Sequence, residues 1–223
     1  NMAEGGHDVT YVPLEMSEQE MLKRMLSRES RIKYEKIHRA KLTDKEKARV
    51  RKAYAKFQKR VQDAEGDFNM WCPENDVTIT EVLAYASSKG SKIVIIDYVS
   101  LLAGLDGDDA WKKISAVGRV AKLWAKANKA HVVILAQLSE EGMVRYSKGL
   151  VEHATTAWTW IRTADSEEDE IEIRQIKARG HSPAPFRLTF DLEYCYVGDK
   201  NNSPSVLNGL DGDSDDSEEE DRP

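Results

Sequence analysis

The sequence predicts an α/β fold built on a mostly parallel sheet flanked by helices, and three observations predict it. Residues 92–97 (Lys-Ile-Val-Ile-Ile-Asp) and 131–136 (His-Val-Val-Ile-Leu-Ala) are continuous, β-branched apolar runs, as expected of strands covered on both faces. Between them, over 109–128, Trp111, Ile114, Val117, Val120, Ala121 and Trp124 recur at helical spacing. The order strand, helix, strand recurs along the chain, which implies right-handed crossovers and helices against the sheet.

The elements follow in order. Residues 8–15 (DVTYVPLE) read as a strand. Ser17 with Glu20 forms a capping box that opens a helix to about residue 27. Residues 31–64 are strongly basic and helical in pattern, with a second capping box at Thr43 and Glu46. Their plainest reading is a solvated helix face with one apolar stripe, and charge alone argues only weakly for a nucleic-acid surface. Residues 68–72 suggest a short strand, and Thr78 with Glu81 caps a helix to about 88. Gly90 then stands where a helix end favours positive φ. Further strands are expected at 155–162, 169–177 and 186–197, appended as hairpins at one edge.

Residues 1–197 are therefore expected to form one domain. Residues 198–223, rich in Asn, Ser, Pro, Gly and Asp, are expected to be a disordered acidic tail. The net charge of −6 is unevenly placed: eight carboxylates lie between Asp211 and Asp221, opposed only by Arg222. The body is thus nearly neutral and free to carry a local basic surface. No apolar run is long enough for a membrane span, and no signal peptide is visible. Cys72 and Cys195 have no metal-ligand spacing and read as free thiols in a reducing, cytoplasmic setting.

Four candidate positions fall at expected strand ends, the edge where open α/β sheets bind ligands. Asp97 after four apolar residues has the Walker B arrangement and suits Mg²⁺ held through water, although strands also end in Asp for turn chemistry. Glu15 at the neighbouring strand end could polarise a water; taken alone it reads better as a carboxylate stabilised by the following helix. Gln137 could bond a γ-phosphate or be an ordinary polar exit residue. Lys177 and Arg179, two residues apart on a strand, share a face; they could reach a neighbouring subunit's nucleotide or simply guard a strand edge.

Together, the segments YVPLEMSEQEMLKRMLS (11–27), IVIIDYVSLL (93–102), VVILAQLS (132–139), VRYSKGLVEHATTAWTWIR (144–162) and IKARGHSPAPFRLTFD (176–191) resemble DnaB-type replicative DNA helicases. The likeness covers about residues 8–197 and is weakest over 31–64. It implies a RecA-like ATPase core using ATP and Mg²⁺, assembled as a homo-oligomeric, hexameric ring on single-stranded DNA. It also implies roles. Glu15 would be the catalytic base, Asp97 would hold the metal's water shell, and Gln137 would sense the γ-phosphate. Lys177 and Arg179 would act in trans on the adjoining nucleotide. Arg145, Tyr146 and Lys148 would lie on the DNA loop. The acidic tail would suit a basic partner such as primase or polymerase.

The sequence departs from the family pattern in one large respect: no GxxxxGK[ST] phosphate loop occurs in the 223 residues. With Asn rather than Met at position 1, a chain truncated before or just after that loop is expected. Tyr146 and Lys148 stand where the family usually has Glu and Gly, and His153 replaces a usual acidic residue. The alternative is a non-hydrolytic RecA-fold module that binds DNA or a replisome partner.

Overall fold

The computed structural model describes residues 2–105, 107, 109–137, 148–162, 169–180 and 184–210. Four parallel strands form the first sheet: β1 (Asp8–Pro13), β2 (Asp67–Met70), β3 (Ile93–Asp97) and β4 (His131–Ile134), in the order β2-β1-β3-β4. Their register aligns Val9 with Phe68 and Ile93, Pro13 with Asp97, and Ile96 with Ile134. Helices α1 (Glu18–Ser30), α2 (Tyr34–His38), α3 (Asp44–Asp63), α4 (Ile79–Ser88) and α5 (Ala110–Asn128) connect the strands.

Alternation along the strands builds the layers. Val12, Val94 and Ile96 point to one face and pack with Val82, Leu83 and Ala86 of α4 and with Ile114 and Val117 of α5. Val9, Ile93 and Ile95 point the other way, against Phe57 and Val61 of α3. Val12, Val82, Val94 and Ile96 have no exposed surface, so the core is centred on β1 and β3. Three helices begin with complete capping boxes: Ser17 with Glu20 on α1, Thr43 with Glu46 on α3, and Thr78 with Glu81 on α4. Each box satisfies two backbone donors that the first helical turn leaves open. Gly90 has φ 67°, as its place after α4 requires.

The later chain forms α6 (Lys148–His153) and a second sheet of β5 (Ala157–Ile161), β6 (Glu170–Lys177), β7 (Phe186–Asp191) and β8 (Tyr196–Gly198), antiparallel in sequence order. The expected strand over 186–197 is two strands, because a 3₁₀ turn at Leu192–Tyr194 reverses the chain. Helix α6 lies close on α5: a side chain at Gly149 would collide with Ser115, and one at Gly118 would come 3.1 Å from Leu150. On the second sheet Trp158, Trp160 and Phe186 are each more than 40% exposed, around a buried Ile173.

Two expectations change. The second apolar run is not buried on both faces. β4 is an edge strand whose Val133, like the following Leu135, is 40% exposed. The N–H groups of His131 and Leu135 donate to the Lys92 and Ile96 carbonyls of the β3 side. In a parallel ladder the alternate residues, Val132 and Ile134, therefore face away from β3, and no described strand pairs with them. The second change concerns the tail, expected from 198. Order continues through α7 (Pro204–Leu210). Asp191 accepts hydrogen bonds from the Ser203 and Ser205 hydroxyls at 2.6 Å, and Asn208 is held by Arg49 and the Arg31 carbonyl. Polar composition concealed these long-range contacts.

Candidate nucleotide site at the sheet edge

The register of β1 against β3 fixes the candidate site. Pro13 lies opposite Asp97, and beyond the strand the Leu14 N–H donates to the Asp97 carbonyl at 2.8 Å. On the other side the Val99 N–H donates to the Leu135 carbonyl at 3.0 Å. These lateral bonds hold the three exits together, so Glu15, Asp97 and Gln137 form a row at the C-terminal edge of β1, β3 and β4. Glu15 and Gln137 are exposed and Asp97 is half-buried. Glu15 stands two residues before Ser17, the N-cap of α1, so the cap geometry limits where it can go.

Tyr11 is a further member that the motif reading missed. Its phenol donates to Asp97 Oδ2 at 2.6 Å. Burial, reinforced by this hydrogen bond and the charge of Asp97, holds the Tyr11 phenol well above its ordinary pKa. Strand alternation carried the signal: Tyr11, Pro13, Ile95 and Asp97 all face the α3 side of the sheet. The Asp97–Tyr98 peptide is cis.

The distal candidates separate. β6 ends at Lys177, whose ammonium donates to the Val151 and Glu152 carbonyls at 2.7 Å each. Lys177 thus braces the end of α6, where a cation complements the helix dipole. Arg179 lies beyond the strand and is exposed. The shared strand face expected for the pair stops at Lys177. Arg145 and Tyr146 lie outside the described residues, as does the side chain of Lys148, whose backbone begins α6.

A shallow depression lined by Trp71, Cys72, Pro73, Glu74, Asn75 and Val77 lies past the end of β2, where Trp71 stacks on Tyr85 at 4.4 Å. It is two strands from Asp97 and lined by no cation, so the row at the strand ends is the stronger candidate. Among the described residues no three metal-ligating side chains cluster. Asp97, with one oxygen engaged by Tyr11 and the other bonded by none of the described residues, fits a hard cation held mainly through water, as Mg²⁺ usually is.

Carboxylates and an amide at adjacent parallel strand ends, on a sheet flanked by helices with antiparallel strands following, are features of the RecA-like ATPase class. The model of the DnaB-like helicase C-terminal domain matches residues 1–149, and the chain belongs to that family. Among solved structures it is similar to the ATPase domain of a DnaB-like helicase, with TM-score 0.75 and 21% identity over 89% of this chain and 76% of that one. It is also similar to a DnaB-like replicative helicase whose structure was described with its interactions with primase, with TM-score 0.74 and 21% identity. That match covers 89% of this chain but 53% of the helicase, so this chain spans about half its length. A KaiC-like protein from the hyperthermophilic archaeon Pyrococcus horikoshii shares the fold more distantly, with TM-score 0.55 and 13% identity over 86% of this chain and 75% of that one. No curated protein matches the sequence. No described helix is long and apolar enough to cross a membrane.

Proposed function

We propose that this chain forms the motor of a replicative DNA helicase, coupling ATP hydrolysis to translocation on single-stranded DNA and duplex unwinding. The observation that carries the reading is the row of Glu15, Asp97 and Gln137 across three adjacent strand ends of a DnaB-like domain. Glu15 takes the proton from the attacking water, and Gln137 bonds the γ-phosphate and registers its loss. Asp97, oriented by Tyr11, holds the water shell of Mg²⁺; that ion, when bound with ATP, neutralises charge on the phosphate oxygens.

The motor also needs a phosphate loop, which a segment outside these 223 residues would supply. Among the described residues the outer edges of β4 and β5 have no paired strand, so the strand carrying it could pair there. Arg179, exposed beyond β6, reaches the nucleotide of an adjoining subunit in a hexameric ring, and Lys177 steadies the connection to α6. Arg145, Tyr146 and Lys148 follow the DNA backbone. Primase or polymerase would be further partners, and the setting is the cytosol of a bacterium or a phage-infected cell.

The test is to join the chain to a segment carrying GxxxxGK[ST] and measure hydrolysis with and without single-stranded DNA, then unwinding of a forked duplex. DNA-stimulated turnover that Glu15→Gln removes, with Mg·ATP binding retained, is expected. Nucleotide and DNA binding without any turnover would favour the non-hydrolytic module.

A further inference from the structure

Helix α3 carries a row of lysines that form no ion pair with a described acidic side chain, although Asp63 follows Lys59 by four residues on the same face. Lys45, Lys52, Lys56 and Lys59 are exposed and spaced by seven, four and three residues, which places them on one helix face. That face lies opposite Phe57 and Val61, which pack on the first sheet. Two other cations of the helix are paired with carboxylates, Lys47 with Asp44 and Arg60 with Glu4 and Glu29, while Arg49 bonds Asn208. From Lys45 to Lys59 the row runs about 21 Å at helical rise. Like charges three and four residues apart repel, so a bare row costs stability unless an anion covers it.

The chain returns to this helix at its other end. Asn208 Oδ1 accepts from Arg49 Nη2 at 3.2 Å, and its amide nitrogen donates to the Arg31 carbonyl at 3.1 Å. Arg49 is four residues after Lys45 and three before Lys52, so Asn208 is anchored beside the row. Three residues beyond Asn208 begins the stretch Asp211 to Asp221, with its eight carboxylates. Extended, that stretch spans up to roughly 36 Å, more than the row requires. Tethering next to the row also raises its local concentration to about the millimolar range.

We propose that the acidic segment 211–221 seats along the Lys45, Lys52, Lys56 and Lys59 face of α3 of its own chain. The anchor at Asn208, the tether length and the opposite charges favour this occupant over nucleic acid, for which only the charge speaks. A longer polyanion competes for the same lysines, so the segment screens the face. The inference stands on charge and tether and does not depend on the motor reading.

The experiment is carbodiimide cross-linking of the full 223-residue chain, with isotopically light and heavy chains mixed to separate links within and between molecules. At about 50 mM salt we expect links within one chain from these lysines to carboxylates of 211–221. They should fall at least fivefold at about 500 mM salt, where charges are screened within a few ångströms. Links only between chains, links from the segment to other lysines only, or none at all would overturn the proposal. A second measurement uses an oligothymidylate. Truncation after Leu210 should tighten its binding about tenfold at low salt, and replacing all four lysines by Gln should remove the gain. If truncation changes nothing while the Gln variant of the untruncated chain loses binding, the row is a nucleic-acid site left uncovered by the segment, and the proposal fails.

Discussion

Tyr11 and Asp97, on neighbouring parallel strands, are joined by a 2.6 Å hydrogen bond from phenol to carboxylate. The bond fixes which carboxylate oxygen is left for a ligand and limits rotation of the side chain. Hydrogen bonds to charged groups contribute about 1.5–3 kcal/mol. Tyr11→Phe keeps the half-buried ring and removes only the hydroxyl, so the fold should persist. In the complete motor, the Mg²⁺ concentration giving half-maximal hydrolysis should rise roughly tenfold, given about 1.4 kcal/mol per decade. A Mg²⁺ titration of both proteins checks this, and an unchanged midpoint would remove Tyr11 from the site.

The core makes a sharper contrast. Ile96 on β3 has no exposed surface, whereas Leu123 on α5 is 59% exposed. Ile96→Ala should cost about 2–5 kcal/mol through lost burial and the cavity left behind. Leu123→Ala should stay within about 0.5 kcal/mol. Urea unfolding of the two variants measures the difference.

Much of this was legible in the sequence where local chemistry decides structure. The capping residues Ser17, Thr43 and Thr78 and the apolar run ending at Asp97 each state their element within a few positions. Whatever depends on partners distant in sequence was not legible. The run at 131–136 has the composition of a buried strand, yet its exposure depends on which strand pairs beyond it. Ser203, Ser205 and Asn208 look like tail residues until Asp191 and Arg49 are seen to meet them. That Lys177 bonds the Val151 and Glu152 carbonyls was not legible either, because pattern alone did not mark the helix that carries them. Tyr11 is passed over when the segment 11–27 is read for the carboxylate at its strand end, although alternation along the strand places it beside Asp97.

The three capping boxes carry a pH signature. Glu20 and Glu81 are held below the usual carboxyl range by hydrogen bonds from Ser17 and Thr78. At Glu46, burial pushes upward, but bonds from Thr43 and Lys36 leave the net shift downward. A carboxyl with a depressed folded-state pKa stabilises the fold above its unfolded value of about 4.3, and that contribution fades as pH falls through the folded value. Helicity at 222 nm should therefore be constant from pH 7 to about 5 and decline below about 4. Thr78→Ala, which removes one cap, should cost about 1 kcal/mol at neutral pH and narrow the difference between neutral and acid stability.

Arg179→Ala should disable hydrolysis without emptying the nucleotide pocket of its own subunit. Arg179 is exposed beyond the end of β6, on a different sheet from Asp97, and Gly180 follows it with φ 119°. A guanidinium offers a rigid donor fork to phosphate oxygens, and such fingers are worth roughly 10³–10⁵ in rate in other phosphoryl-transfer systems. The decisive measurement mixes Arg179→Ala subunits with Glu15→Gln subunits in the complete motor. Each variant alone should be inactive. In mixed rings, an interface that joins an intact Glu15 to a neighbour's intact Arg179 should recover turnover, with activity peaking at intermediate ratios. Mg·ATP binding, measured separately, should be retained in both variants. Rings that assemble and bind nucleotide at every ratio yet never recover turnover would count against action in trans.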